Sequence, residues 1–171
     1  MDARFLNNEV NMENIDNFNE EVWLALNHLE INDRNIAFFL SVLKETNNKD
    51  FWLTLPLDLS ETHDERLLPI LIDLLQDPRT DGCRGNFLTA LREYDYLPYS
   101  DILIRFVCEG NWELRTKSAQ MLLQIKDRLS SDVLYELEKH TKDALNDADD
   151  KRQLLCEFRE EFGFEIDCTK Y

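Results

Sequence analysis

The sequence contains few of the residues that turns and β-structure require. Its 171 residues include only 4 Gly and 4 Pro. All-β sandwiches and barrels join many short strands through turns that are rich in these two residues, so their scarcity argues against such folds. A chain of this length can bury a hydrophobic core within one domain. We therefore expect a helical protein.

Cysteine and histidine are too few and too scattered to form a recognisable metal centre or disulfide framework. The chain has 4 Cys and 3 His, and no two cysteines form a C-x-x-C pair. Cys83, Cys108 and Cys156 lie within helical patterns, where buried free thiols are common. Glu136 and His140 stand four residues apart, which an exposed helix pair explains better than a metal site. We expect a reduced, cytoplasmic protein with no bound metal and no cofactor.

Two acidic clusters raise the question of cation binding. The segment Glu61–Glu65 places acids on both sides of His63 and could hold a cation, although a solvated connector is the favoured interpretation. Asp147, Asp149 and Asp150 lack the glycine and the closing glutamate of a calcium-binding EF-hand loop. Acids that begin a helix also complement its dipole. The sequence predicts no metal site at either cluster.

Motifs for catalysis and membrane insertion are also missing. The sequence has no glycine-rich phosphate loop, no nucleophile elbow and no zinc-binding helix motif. Its first residues, Met1–Arg4, lead into polar sequence instead of an apolar leader. The longest apolar run, Leu67–Leu75, is interrupted by Asp73 and is too short to span a bilayer. We expect no catalytic residues, no enzymatic activity and no membrane partner.

Acidic residues greatly outnumber basic ones. The chain has 35 Asp+Glu and 19 Lys+Arg, a net charge of −16. The net charge is −9 over residues 1–66, −1 over residues 67–129 and −6 over residues 130–171. Such a surface repels nucleic acid and anionic lipid and attracts basic partners. Solubility is an alternative explanation for an acidic excess, because acidic surfaces keep proteins dispersed.

Apolar residues recur at helical spacing along most of the chain. Residues 51–59 interrupt this pattern, because their apolar side chains alternate as in a strand. Pro56 and the lack of a partner strand argue against a sheet, so we expect a short helical turn and an extended connector. Asn32 or Asp33 is the expected N-cap of the second helix, and Gly163 is the expected end of the last one. The predicted helices span about residues 18–30, 33–46, 65–76, 82–94, 99–109, 112–128, 131–145 and 149–162.

An internal repeat links two stretches of the chain. Leu74–Asp77 aligns with Phe106–Glu109, 32 residues later, and Cys83-Arg84 aligns with Leu114-Arg115, 31 residues later. Each unit contains a short helix, a polar turn and a second helix. Because one helix pair cannot bury both of its faces, neighbouring pairs are expected to stack on one another.

This pattern resembles the HEAT repeat family. The resemblance is carried by Leu67–Pro78 with Cys83-Arg84 and Ala90-Leu91, and more weakly by Ile102–Ile125. It implies an all-α fold, a HEAT-like α-solenoid of about four antiparallel helix pairs. We expect a single helical-repeat domain over residues 1–171. Its clearest units are 65–97 and 98–128, flanked by helix pairs at 18–46 and 131–162.

Tyrosines and acids alternate between the two clearest repeat units, and an aromatic-acid pair follows at the next turn. Tyrosine supplies contact area at low entropic cost and is enriched at binding hot spots, and acids beside it can pair with Lys or Arg. The alternative is that Tyr94 and Tyr96 only cover the ends of the core. We expect Tyr96 and Tyr99 to act as anchors. The predicted partner-binding residues are Glu93, Tyr94, Asp95, Tyr96, Tyr99, Asp101, Trp112 and Glu113.

A small, acidic, HEAT-like chain is similar to the immunity proteins of bacterial contact-dependent growth inhibition and related toxin systems. The resemblance implies a cytoplasmic protein that neutralises its cognate toxin, often a basic nuclease, by covering the active site or another essential surface. It rests on size, charge and repeat type, so it transfers no site residues. The expected partner is a basic protein, without direct nucleic-acid binding. Two alternatives are a HEAT-repeat adaptor or scaffold and a HEAT-like enzyme, such as a chromophore lyase or a glycosylase.

Overall fold

The computed structural model describes residues 30–147 and 152–164. Over these ranges the chain forms eight α-helices and no β-strand, which confirms the predicted all-α class. Residues 18–29 of the first predicted helix, Asp149, Asp150 and Cys168 lie outside the described residues. The helices are α1 (Ile36–Glu45), α2 (Lys49–Ser60), α3 (Leu67–Gln76), α4 (Arg84–Leu91), α5 (Ser100–Glu109), α6 (Trp112–Gln124), α7 (Ser131–Asp147) and α8 (Arg152–Phe162).

The chain divides into two compact units between Tyr94 and Asp95. Helices α1 to α4 belong to the first unit, and α5 to α8 belong to the second. The division falls close to the expected boundary between repeat units 65–97 and 98–128. The single domain and the stacked solenoid of four helix pairs stay predictions.

A shared apolar core holds the first unit together. Helix α2 packs against α1, α3 and α4, and α3 packs against α1 and α4. The largest buried side chains include Phe39 and Leu43 of α1, Trp52 and Leu59 of α2, and Phe87 of α4, each at most 2% exposed. Burying an apolar side chain of this size stabilises a fold by about 1.5–3 kcal/mol. The four helices are therefore held mainly by α2.

Residues 51–59 form helix α2, so the predicted extended connector is wrong. The helix begins after Asn48, whose side-chain oxygen accepts a hydrogen bond from the amide of Asp50 at 2.9 Å. Pro56 lies inside it, at a cost of about 3 kcal/mol for a helix interior. Burial outweighs this cost, because the side chains that pack into the core recur at helical spacing. These are Phe51, Trp52, Leu55, Pro56 and Leu59.

The start of α1 also differs from the prediction. Its N-cap is Asn35, not Asn32 or Asp33. Residues 32–35 form a turn in which the amide of Asn35 donates to the carbonyl of Asn32 at 3.0 Å. The Asn35 side-chain oxygen accepts a hydrogen bond from the amide of Asn32 at 2.8 Å. Because this turn uses the residues expected to cap the helix, the helix begins one turn later.

The second unit is built around α5 and α7. Helix α5 packs against α6 and α7, and α8 packs against α6 and α7. Asn111 caps α6 by accepting a hydrogen bond from the amide of Leu114 at 3.0 Å. Gly163 adopts a left-handed φ of 73°, and the amide of Phe164 donates to the carbonyl of Arg159 at 3.1 Å. This geometry confirms the predicted glycine end of the last helix.

A buried arginine joins the last two helices. Arg159 of α8 is only 2% exposed. Its Nη1 atom donates to the carbonyl of Glu138 and to Oγ1 of Thr141, both on α7 and both at 2.7 Å. Its guanidinium also lies over the ring of Phe164, 5.4 Å from the centroid. A polar contact therefore reinforces the packing of α7 on α8.

Candidate partner-binding site

Two of the predicted partner-binding tyrosines are buried. Tyr94 is 8% exposed, and its hydroxyl donates to the carbonyl of Asp64 at 3.3 Å. Burial raises the pKa of Tyr94 to about 12, and the negative charges of Asp64, Glu65 and Glu93 add to the rise. Tyr96 is 7% exposed, and its hydroxyl donates to the carbonyl of Met121 at 3.2 Å. Both side chains therefore cover the core, as the alternative interpretation expected. Tyr96 is too buried in this structure to act as the predicted anchor.

The other predicted residues are more accessible. Trp112, the first residue of α6, is 75% exposed. Glu93 of the first unit and Asp101 of the second are exposed, and Tyr99 is half-buried. We refer to the exposed members of the second unit, Asp95, Asp101, Trp112 and Glu113, as the second-unit set.

The second-unit set contains acids that are already paired. Asp95 accepts a hydrogen bond from Nη2 of Arg128 at 3.0 Å. Glu113 forms an ion pair with Lys117 at 2.9 Å, one helical turn away. These bonds partly neutralise the carboxylates, so the attraction that they offer to a basic partner is reduced. Binding through this set stays a prediction.

The first unit contains a cavity that was not predicted from the sequence. Its volume is about 620 Å³, and its lining comes from the turn before α1, from α1 and α2, and from the loop after α2. Ile36 and Phe39 of α1 and Phe51 and Leu55 of α2 form a buried apolar floor. Among residues 30–147 and 152–164, the lining includes five acids and no Lys or Arg. These acids are Glu30, Asp33, Asp58, Glu61 and Asp64.

Helix α2 positions one wall of the cavity. Phe51, Thr54, Leu55 and Asp58 follow one another at spacings of three, one and three residues, which places them on one face of the helix. The first and third of them are buried, and Asp58 is exposed. The face therefore passes from an apolar floor to a charged rim. Because this segment was predicted as a connector, its face was not recognised.

The turn before α1 positions two more acids. The carbonyl of Glu30 accepts hydrogen bonds from the side-chain amides of Asn32 at 3.1 Å and Asn35 at 3.0 Å. The side-chain oxygen of Asn32 accepts a further bond from the amide of Arg34 at 3.0 Å. These local bonds fix the backbone on both sides of Asp33. The turn therefore places Glu30 and Asp33 in the cavity lining.

The loop after α2 contributes Asp64, whose charge is compensated. His63 adopts a left-handed φ of 52°, which turns the chain at the end of the helix. The Arg66 guanidinium donates to both carboxylate oxygens of Asp64, at 2.9 and 2.6 Å. The hydrogen bond from this side chain is the main reason why the pKa of Asp64 falls to about 2. Asp64 is therefore ionised and paired at neutral pH.

The other four lining acids, Glu30, Asp33, Asp58 and Glu61, form no ion pair within the described residues. Although Asp58 keeps contact with solvent, partial burial raises its pKa, and the neighbouring charge of Glu61 raises it further. Both causes disfavour the ionised carboxylate, and a cation that entered the cavity would favour it. The cavity thus combines uncompensated negative charge with an apolar floor. We call these four residues the unpaired rim acids.

Other chemical groups of the described chain do not converge on this cavity. No group of three or more His, Cys, Asp and Glu in residues 30–147 and 152–164 is arranged to hold a metal ion. Cys83, Cys108 and Cys156 are free thiols, and burial is the main cause that raises the pKa of Cys83. His140 and Glu136 form an exposed pair on α7, with 3.5 Å between Nδ1 and Oε2.

Comparison of the chain with protein-family models, with curated proteins and with solved structures finds no match. Of the helices described above, none has the length and apolarity needed to cross a lipid bilayer.

Proposed function

We propose that this chain binds a basic protein partner, and that it is an immunity protein that neutralises a cognate bacterial toxin by stoichiometric binding. The main support is the cavity of the first unit, where the unpaired rim acids lie beside an apolar floor and the described lining includes no Lys or Arg. The net charge of −16 adds a long-range attraction for basic proteins. In this proposal the chain has no catalytic role and acts in the cytoplasm.

Electrostatics determines how such a complex would form. Opposite charges on two proteins speed their association, and salt screens exposed charges over about 8 Å at physiological ionic strength. The association rate should therefore fall as salt is added. The apolar floor would contribute contacts that salt does not screen, so the dissociation rate should change less. The two rates together distinguish this binding mode from a purely electrostatic encounter.

We also propose that the helix pairs stack as a HEAT-like α-solenoid. The repeat spacing supports this arrangement. Within the first unit, a polar contact joins α3 to α4. The Nη2 atom of Arg84 donates to the carbonyl of Asp77, the C-cap of α3, at 2.9 Å. Arg84 is the first residue of α4, whereas Arg115, its counterpart in the sequence alignment, is the fourth residue of α6. The two copies therefore use the arginine at different points of the helix.

Co-expression with the product of the neighbouring gene tests the proposal. We expect a complex of one copy of each chain by light scattering, and rescue of cells from growth arrest by that product. A catalytically inactive form of the product should still bind. The proposal is wrong if the two chains do not associate, or if rescue occurs without association. Larger assemblies of defined stoichiometry would instead support a scaffold.

A further inference from the structure

The unpaired rim acids and the apolar floor together match one class of ligand. We infer that the cavity of the first unit receives a long cationic side chain, an arginine or a lysine, from a basic segment of the partner. The existence of that partner rests on the proposed function, whereas the binding chemistry rests on the cavity. Its volume of about 620 Å³ lies within the range of about 300–1,000 Å³ that is typical of ligand cavities.

The cavity lining has an apolar part and a charged part, as does a lysine or arginine side chain. Lysine and arginine carry a charged head on an apolar stem, and they bury the stem while the head remains near water. Ile36, Phe39 and Leu55 give the cavity an apolar lining, and Asp58 and Glu61 offer negative charge at its exposed rim.

Two other occupants are less well matched. The segment 1–29 of this chain carries 6 acids and 1 base, so its charge does not complement the unpaired rim acids. A metal ion needs several ligands that converge on one point, and no such group of His, Cys, Asp and Glu exists in the described ranges. Charge that is spread along a rim instead suits an organic cation, whose donors are themselves spread out.

Asp58 is the residue on which the inference depends most. It lies on α2 beside the floor residue Leu55, and it forms no ion pair within the described residues. Its charge is opposed both by partial burial and by Glu61. An entering cation would relieve this repulsion, so Asp58 gains more from a ligand than the compensated Asp64 does. Asp73 of α3 is an exposed acid outside the lining and provides a control for a change in net charge.

An NMR titration of the full chain tests the inference without a partner. The probe is N-acetyl-arginine methylamide, and its control is the citrulline analogue, which has nearly the same shape but no charge. We expect saturable shifts at the amides of Thr54, Asp58 and Thr62, with binding of citrulline weaker by about tenfold. Asp58→Asn should weaken arginine binding several-fold, and Asp73→Asn should leave it unchanged. Amide spectra of both variants report whether they remain folded.

Three results would overturn the inference. They are equal binding of arginine and citrulline, shifts confined to amides away from the cavity, and equal affinities for Asp58→Asn and Asp73→Asn. If residues 1–29 fill the cavity, the probe produces no shift there, and the inference also fails. These outcomes are separate from the proposed function. A partner complex that tolerates Asp58→Asn would refute the inference alone, whereas the absence of any partner complex would refute the proposed function alone.

Discussion

The acids that line the cavity of the first unit differ in their pairing from two acids of the second-unit set. In the second unit, Asp95 and Glu113 are paired with Arg128 and Lys117. In the first unit, the unpaired rim acids line a cavity whose described lining contains no Lys or Arg. The difference shows that the density of acids along a sequence is a poor measure of the attraction that a basic partner meets. Pairing in the folded chain decides how much of each charge remains available.

The aromatic residues of the two units differ as well. The cavity of the first unit places Phe39 and Phe51 at its floor. In the second unit, Tyr96 is withdrawn into the core and Trp112 is left 75% exposed. The tyrosine-rich segment therefore supplies fewer accessible anchors than its sequence suggests. Trp112 remains the strongest argument for a contact surface in the second unit, because exposed Trp is enriched at binding hot spots.

The largest expected effect concerns the role of Tyr96 in the core. Tyr96→Ala should lower the free energy of unfolding by about 3–5 kcal/mol, because it removes a buried aromatic ring. Tyr96→Phe keeps the ring and should cost only about 1 kcal/mol, through loss of the hydrogen bonds to Met121 and Gln124. Urea unfolding followed by circular dichroism measures both values. If Tyr96→Ala unfolds at the wild-type urea concentration, Tyr96 is a surface residue and the contrast between the units disappears.

The next largest effect is on the affinity for the partner, which should depend more on the unpaired rim acids than on the second-unit set. Asp58→Asn with Glu61→Gln should weaken binding to the co-expressed partner by about tenfold, which corresponds to about 1.4 kcal/mol. Asp95→Asn with Glu113→Gln makes the same change in net charge, but it should cost much less because these acids are already paired. Trp112→Ala serves as a third arm. Calorimetry measures the loss of affinity for each variant. If Trp112→Ala weakens binding most and the Asp58→Asn with Glu61→Gln variant least, the interface lies in the second unit.

The smallest expected effect is on the free energy of unfolding, which Asp58→Asn and Asp95→Asn should change in opposite directions. Asp58 has a raised pKa in the fold, so its ionised form is disfavoured there, and Asp58→Asn should increase stability at pH 7. This gain should vanish as the pH falls below 3.8, where Asp58 is protonated in both states. Asp95→Asn should instead lose up to about 1 kcal/mol at pH 7, because it breaks an exposed ion pair. Urea unfolding at pH 7 and pH 3 measures both changes in stability. A lower stability of Asp58→Asn at pH 7 would contradict the conclusion that the ionised Asp58 is disfavoured in the cavity.

Local sequence patterns predicted most helices and some of their ends. The apolar spacing in α3 and α5 and the glycine end at Gly163 all depend on residues close together in the chain. The failure at α2 has a physical cause. Alternating leucines and Pro56 suggested extended backbone, whereas burial at the spacing of Trp52, Pro56 and Leu59 favoured a helix. A search for helical spacing in this segment would have found it.

The candidate site was harder to predict because it depends on contacts between distant parts of the chain. The cavity is lined jointly by the turn at residues 30–33, by α1 and by one face of α2, and no local pattern specifies that arrangement. The pairing of Asp95 with Arg128 joins residues that are 33 positions apart. One signal was present in the sequence: Phe51, Leu55 and Asp58 stand at positions that share a helix face. Recognition of α2 would therefore have indicated one wall of the site.

The buried guanidinium of Arg159 has a consequence for how the end of the second unit opens. Arginine keeps its charge at every physiological pH, so the group cannot become neutral when its surroundings change. Separation of α8 from α7 would leave the carbonyl of Glu138 and the hydroxyl of Thr141 without this donor, and fraying of one helix alone is therefore unfavourable. Hydrogen exchange at the protected amides of α7 and α8 should proceed through a common opening event. In this respect the two helices form a single cooperative folding unit.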